Sequence, residues 1–142
     1  MSDRAFVDTN VLIYAYDIDA DAKHRIAKNL LRELWSERNG ILSLQVLQEF
    51  YVNVTRKISR PISKESARLV VTNYTVWCTD TTRAEIATAF QIEDQVKISF
   101  WDALIVASAL KSGAARILSE DLNAGQGIAG IRIENPFVAL VS

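Results

Sequence analysis

An α/β fold, with a mainly parallel sheet covered by helices, is predicted by the alternation of short apolar runs with longer amphipathic ones. Composition agrees: 49% of the 142 residues are hydrophobic and 23% charged, enough apolar matter for a sizeable core. No internal repeat, low-complexity tract or Pro/Ser-rich linker interrupts the chain, so one domain spanning 1–142 is expected. Five runs read as strands, at 5–7, 40–42, 76–78, 115–118 and 131–133. Between them, residues 22–38 carry Ile26, Leu30, Leu31, Leu34 and Trp35 at helical spacing. Ser43 caps a second helix whose stripe is Leu47, Phe50, Tyr51, Val54 and Ile58, and Pro61 is expected to end it. A third covers 63–74, and the Thr82-Arg83-Ala84-Glu85 run is a capping box that opens a fourth. The last runs from Phe100 to Lys111 between Ser99 and Gly113 and is apolar almost all round, which marks a buried helix.

Sixteen Lys and Arg offset seventeen Asp and Glu for a formal charge of −1. That balance argues against nucleic-acid binding by bulk positive charge and leaves a local patch open. The single cysteine, Cys78, excludes an internal disulfide, and a reduced, cytoplasmic setting is expected. The single histidine, His24, excludes HExxH and His-rich zinc sites. It sits in Lys23-His24-Arg25 on a charged helix face and reads as solvated. No signal peptide is read at Met1-Ser2-Asp3-Arg4, and no apolar run approaches the ~20 residues of a membrane span. The Gly125–Gly130 segment fits GxGxxG by letter, yet a polar loop precedes it and a short strand follows, so it reads as a turn. Chemistry in this chain therefore leans on carboxylates.

The acids fall at telling places. Asp8 follows the first strand directly and Asp121 lies three residues beyond Leu118, at the carboxyl ends of strands where open parallel sheets bind ligands. Asp102 lies in the first turn of the most apolar helix, where a buried carboxylate needs a hydrogen-bonded or metal partner. Glu49 lies on the helix after the second strand. Each also has a plainer role: Asp8 as a helix cap, Asp102 completing a capping box with Ser99, Asp121 in a polar turn, Glu49 solvated. The residues alone define a candidate acidic cleft. On the Glu49 helix, Arg56 and Arg60 are expected close to the same face, as candidate phosphate contacts. Lys64 and Arg68, and a strip of Lys23, Arg25, Lys28 and Arg32, default to solvated faces.

The segment Phe6-Val7-Asp8-Thr9-Asn10-Val11-Leu12-Ile13-Tyr14-Ala15 resembles the opening motif of PIN-domain nucleases. Gln48-Glu49-Phe50 resembles the setting of that family's second acid, the run from Ser99 to Ala109 the third, and Ile117-Leu118-Ser119-Glu120-Asp121-Leu122 the fourth. The four occur in family order across residues 5–122, and the size resembles the single-domain VapC type, the toxin half of bacterial toxin–antitoxin pairs. Ser119 stands where a Thr is commoner, and Asn123 where a further acid sometimes follows; the roles of Asn123 and Glu120 stay open.

The resemblance implies a three-layer α/β/α domain with about five strands, and a Mg2+- or Mn2+-dependent endoribonuclease leaving 5′-phosphate and 3′-hydroxyl ends. Asp8, Asp102 and Asp121 would hold the principal metal, and Glu49 a second ion or the attacking water. Thr9 and Ser119 would steady carboxylates or bound waters, and Asn10 would fix the loop after the strand. The implied partners are an RNA substrate, a small cognate antitoxin and a second copy in a homodimer, with no membrane. Two other readings compete. A haloacid-dehalogenase-like phosphohydrolase would use Asp8 as nucleophile, but its DxD is broken here by Asn10; a catalytically idle PIN-fold module would use the cleft only to bind.

Overall fold

The computed structural model describes residues 3–122 and 127–138. Strand β1 (Ala5–Val7) is buried along its whole length, as its unbroken apolar sequence requires of a central strand. It leads into α1 (Thr9–Tyr14) and α2 (Ala22–Glu37), which return the chain to β2 (Gly40–Ile41). Helices α3 (Leu44–Arg56), α4 (Lys64–Tyr74), α5 (Ala84–Val96) and α6 (Phe100–Lys111) follow, then β3 (Arg116–Leu118), β4 (Gly127–Ile128) and β5 (Ile131–Glu134). The sheet order is β2-β1-β3-β5-β4, parallel except where β4 meets β5. Helices cover it in the expected three-layer α/β/α manner. No helix among the described residues is long and apolar enough to cross a membrane.

Local sequence accounts for most element boundaries. Ser43, Ser63 and Ser99 each accept a backbone N–H from the first turn of α3, α4 and α6. The capping box works through its acid: the Glu85 carboxylate accepts the Thr82 backbone N–H and hydroxyl, and Lys111 lies 3.6 Å away. Gly113, at φ +75°, follows α6, with Ala114 N–H bonded back to the Ala109 carbonyl at 3.1 Å. Most of α6 is buried, but its first turn exposes Trp101.

Three expectations need correction. Residues 76–78 are not a strand: the chain makes a 3₁₀ turn over Thr75–Trp77, and only Cys78 forms a single parallel bridge with Leu42. The Trp77 ring turns inward against Trp35 at 5.3 Å and Tyr74 at 5.0 Å, so the apolar run is an aromatic wedge. The fifth strand is instead β4, inside the segment read as a turn. It forms a two-residue hairpin with β5, in which Ala129 and Gly130 take positive φ of 52° and 85°. Finally, α3 stops at Arg56, well short of Pro61, and Ile62 N–H folds back onto the Val54 carbonyl at 2.9 Å.

The sheet is wound in two directions from β1. The chain runs through α1 and α2 to β2 on one side, whereas β3 reaches the other side through α6. The carboxyl ends of β1 and β3 therefore meet at a switch point, with Val7 opposite Leu118.

Gly40 in β2 lies under the Trp77 ring, which a Cβ there would penetrate. Gly40→Ala is expected to lower stability by about 1–3 kcal/mol, read as a lower denaturation midpoint with altered tryptophan fluorescence.

Candidate active site

Because Val7 pairs with Leu118, the residues just beyond them, Asp8 and Ser119, come side by side at the switch point. Asp8 N–H donates to the Leu118 carbonyl at 3.0 Å, and Ser119 N–H to the Glu134 carbonyl at 3.0 Å, extending the ladder past the strands. Both side chains are buried, at 7% and 0% exposure. The Asp8 carboxylate accepts the Ser119 hydroxyl at 2.7 Å on Oδ2 and the Thr9 backbone N–H at 2.8 Å on Oδ1, so it does cap α1. The same Ser119 oxygen accepts the N–H groups of Asp121 and Leu122, at 3.1 and 3.2 Å.

Burial raises the Asp8 carboxyl to about 6; the bonds from Ser119 and Thr9 oppose the rise, and the charges of Asp102 and Asp121 add to it. Asp102 and Asp121 thus act on Asp8 as like charges. Asp102 lies in the first turn of α6, where only its backbone N–H serves the Ser99 cap, at 3.1 Å. Among the described residues its carboxylate has no hydrogen-bond donor, so the capping-box explanation for it fails. Glu49 joins through Thr9, whose hydroxyl donates to Glu49 Oε2 at 2.9 Å, while Gln45 Nε2 donates to Oε1 at 3.1 Å. Asn10 serves two neighbours: Nδ2 donates to Asp121 Oδ2 at 2.8 Å and Oδ1 accepts the Glu120 N–H at 3.2 Å.

Among the described residues, no Lys, Arg or His pairs with Asp8, Glu49, Asp102 or Asp121. The neighbouring acid Glu120 differs. Lys23 is bonded to its Oε2, and the Tyr14 hydroxyl donates to Oε1 at 2.7 Å. Desolvation pushes the Glu120 carboxyl up, but these two bonds outweigh it and hold the group below the usual carboxylate range.

A family pattern for the PIN domain matches residues 5–126. The chain belongs to the PIN domain family. Comparison with curated proteins finds no significant match. Solved structures share this PIN fold. A toxin–antitoxin complex from Klebsiella pneumoniae matches at 20% identity and TM-score 0.67, over 93% of this chain and 97% of that one. VapC20 of Mycobacterium tuberculosis, described as a sarcin-ricin loop cleaving toxin, matches at 21% and 0.62, over 90% and 98%. DNA-bound VapBC from Salmonella typhimurium matches at 19% and 0.66, over 96% and 99%. At these identities the likeness is one of fold.

The donor set of this PIN domain suits a hard divalent cation, because it is all carboxylate oxygen with no thiolate or imidazole. Among the described residues no three acidic side chains close into a ready-made cage. An ion here would thus be held by one or two carboxylates and by its own waters, the arrangement Mg2+ favours. Cys78 offers no competing chemistry, since burial pushes its thiol to about 11.

The remaining residues singled out by sequence fare differently once placed. Arg56 is the exposed last residue of α3, whereas Arg60 lies beyond the helix and pairs with Asp19 at 3.4 Å, so the two do not share a helix face. His24 is not simply solvated: its Nδ1 lies 2.9 Å from the Tyr14 carbonyl and ties α2 to the end of α1. Asn123 lies outside the described residues. Gln45 and Tyr14 are partners that the sequence pattern did not single out, and Lys23, read as part of a solvated strip, is a third. Gln45 was findable, four residues before Glu49 on one helix. Tyr14 and Lys23 meet Glu120 across 106 and 97 residues, a separation that no local pattern reveals.

The Asp8 shift fixes a sign. The folded carboxyl titrates near 6 and the unfolded one near 3.8, so the native state binds the extra proton between these values and stability falls as pH rises through them. The loss amounts to as much as about 3 kcal/mol. Asp8→Asn is expected to raise the thermal midpoint of the metal-free protein at pH 7.5 and to flatten its dependence between pH 4 and 6.5, as measured by calorimetry.

Proposed function

We propose that this PIN domain, one domain over 1–142, is a Mg2+- or Mn2+-dependent endoribonuclease and the toxin of a toxin–antitoxin pair. One observation carries the reading. A buried acid, Asp8, feels two further acids and connects through Thr9 to a fourth, and no basic side chain among the described residues neutralises them. Such a cluster is costly to a fold unless a cation completes it.

Asp8 and Asp102 are the proposed holders of the principal cation, with Asp121 beside them and Glu49 holding a second ion or orienting the attacking water. When bound, the cation would neutralise charge on the phosphodiester and on the leaving oxygen and lower the pKa of a water. The protein's own part is orientation. Ser119 fixes one oxygen of Asp8, Asn10 fixes Asp121, and Thr9 with Gln45 fixes both oxygens of Glu49. Arg56 at the end of α3 is the proposed phosphate contact, with Arg60 secondary because Asp19 offsets its charge.

Toxin–antitoxin complexes among the structures of like fold support a small cognate antitoxin as partner. Homodimerisation and a cytoplasmic setting complete the proposal. The phosphohydrolase alternative loses its acid, because the Asn10 amide is already committed to Asp121 and Glu120.

Incubation with single-stranded RNA is expected to give cleavage in Mg2+ or Mn2+ and none in EDTA. Asp102→Asn should lower kcat by at least about 100-fold; cleavage surviving in that variant rejects the carboxylate mechanism, and an inactive wild type favours the binding module. Arg56→Glu with Arg60→Glu should raise KM for RNA several-fold and leave Mn2+ affinity unchanged. Unaltered RNA affinity in the double variant would remove the arginines from the substrate path.

A further inference from the structure

Asp121 sits on a surface loop, and its carboxylate is exposed, unlike that of Asp8. A ligand on a loop binds weakly unless the loop is held, because ordering it on binding costs entropy. The adjacent Glu120 adds a second difficulty, since a free carboxylate there would compete for the same cation.

We propose that Glu120 is a positioning residue: clamped by Tyr14 and Lys23, it anchors the loop after β3 so that Asp121, and not Glu120 itself, faces the acid cluster. The proposal rests on the reading of that cluster as a metal-dependent nuclease site. Tyr14 ends α1 and Lys23 lies in the first turn of α2, so the two bonds to Glu120 pin the loop to the corner between these helices. Lys23 is itself restrained. Its Nζ lies 5.1 Å from the centroid of the Tyr14 ring and 5.9 Å from that of Phe137, and the two rings meet edge-on at 5.2 Å. Phe137 is 2% exposed, so the clamp is seated on the core. The Glu120 backbone N–H is held by Asn10, the same residue whose amide grips Asp121. Anchoring Glu120 therefore sets the position of the Asn10–Asp121 bond as well.

The test compares Glu120→Gln, Lys23→Met and the conservative Lys23→Arg by Mn2+ affinity, by kcat and KM on single-stranded RNA, and by the NMR signals of the Asn10 side-chain amide. Glu120→Gln and Lys23→Met are expected to weaken Mn2+ binding about 10-fold, to lower kcat with KM unchanged, and to shift the Asn10 amide signals. Lys23→Arg should restore wild-type values. In an Asp121→Asn background Glu120→Gln should have no further effect on Mn2+ affinity. Equal weakening in both backgrounds, or wild-type affinity in both Glu120→Gln and Lys23→Met, overturns the proposal. If the wild type binds Mn2+ with this pattern but cleaves no RNA, the nuclease reading fails and the positioning role stands. If it binds no Mn2+, the Asn10 signals decide, and their indifference to Glu120→Gln overturns the clamp.

Discussion

Everything at the acidic site depends on the parallel pairing of β1 with β3. Their register, Val7 opposite Leu118, makes Asp8 and Ser119 the first residues past the sheet on adjacent strands. Backbone bonds carry the ladder one step further, so Asp8 emerges buried just past the ends of the two strands. A one-residue slip would turn Asp8 to the other face and separate it from the Ser119 hydroxyl. Specificity of register is secured by the apolar residues 5–7 and 117–118, which are buried to within 2%.

That placement carries a cost in stability. Burial and two neighbouring carboxylates make the ionised form of Asp8 unfavourable, and two hydrogen bonds relieve this only in part. A divalent cation bound among these acids would offset that repulsion by attracting each of them. The remaining fold carries this local cost through a continuous apolar core on both sides of the sheet and through serine-capped helices.

Two kinds of acid lie within a few residues of one another. Glu120 is neutralised and hydrogen-bonded on both oxygens, as structural carboxylates usually are. Among the described residues, Glu49 and Asp121 are held by uncharged donors only, and Asp102 by none. Neutral donors orient a carboxylate without removing its charge, which leaves it able to take a cation. The difference in partner chemistry, and not in residue type, separates an anchor from a candidate ligand.

Much of this was legible in the sequence because it is local. Apolar runs gave β1, β2, β3 and β5, helical spacing gave α2 and α3, a capping box gave α5, and Ser43 and Ser99 marked the starts of α3 and α6 to the residue. The two wrong strand readings share one cause. Whether an apolar run such as 76–78 pairs or packs depends on what lies opposite it, here Gly40 and the Trp35–Tyr74 cluster. Likewise the hairpin of β4 depends on β5 as its partner. Strand ends and helix positions singled out Asp8, Asp121, Asp102 and Glu49 as a candidate acidic cleft, and their assignment as a metal-binding set came from the resemblance in motif order. Only the tertiary structure decided how those acids are held: that Ser119 binds Asp8, that Thr9 reaches Glu49, and that Lys23 serves Glu120 and not a solvated strip. Sequence determines which groups are available, because chemistry belongs to the residue. Which charges stay bare is settled by contacts between residues far apart in the chain, as between Glu120 and Lys23, 97 positions apart.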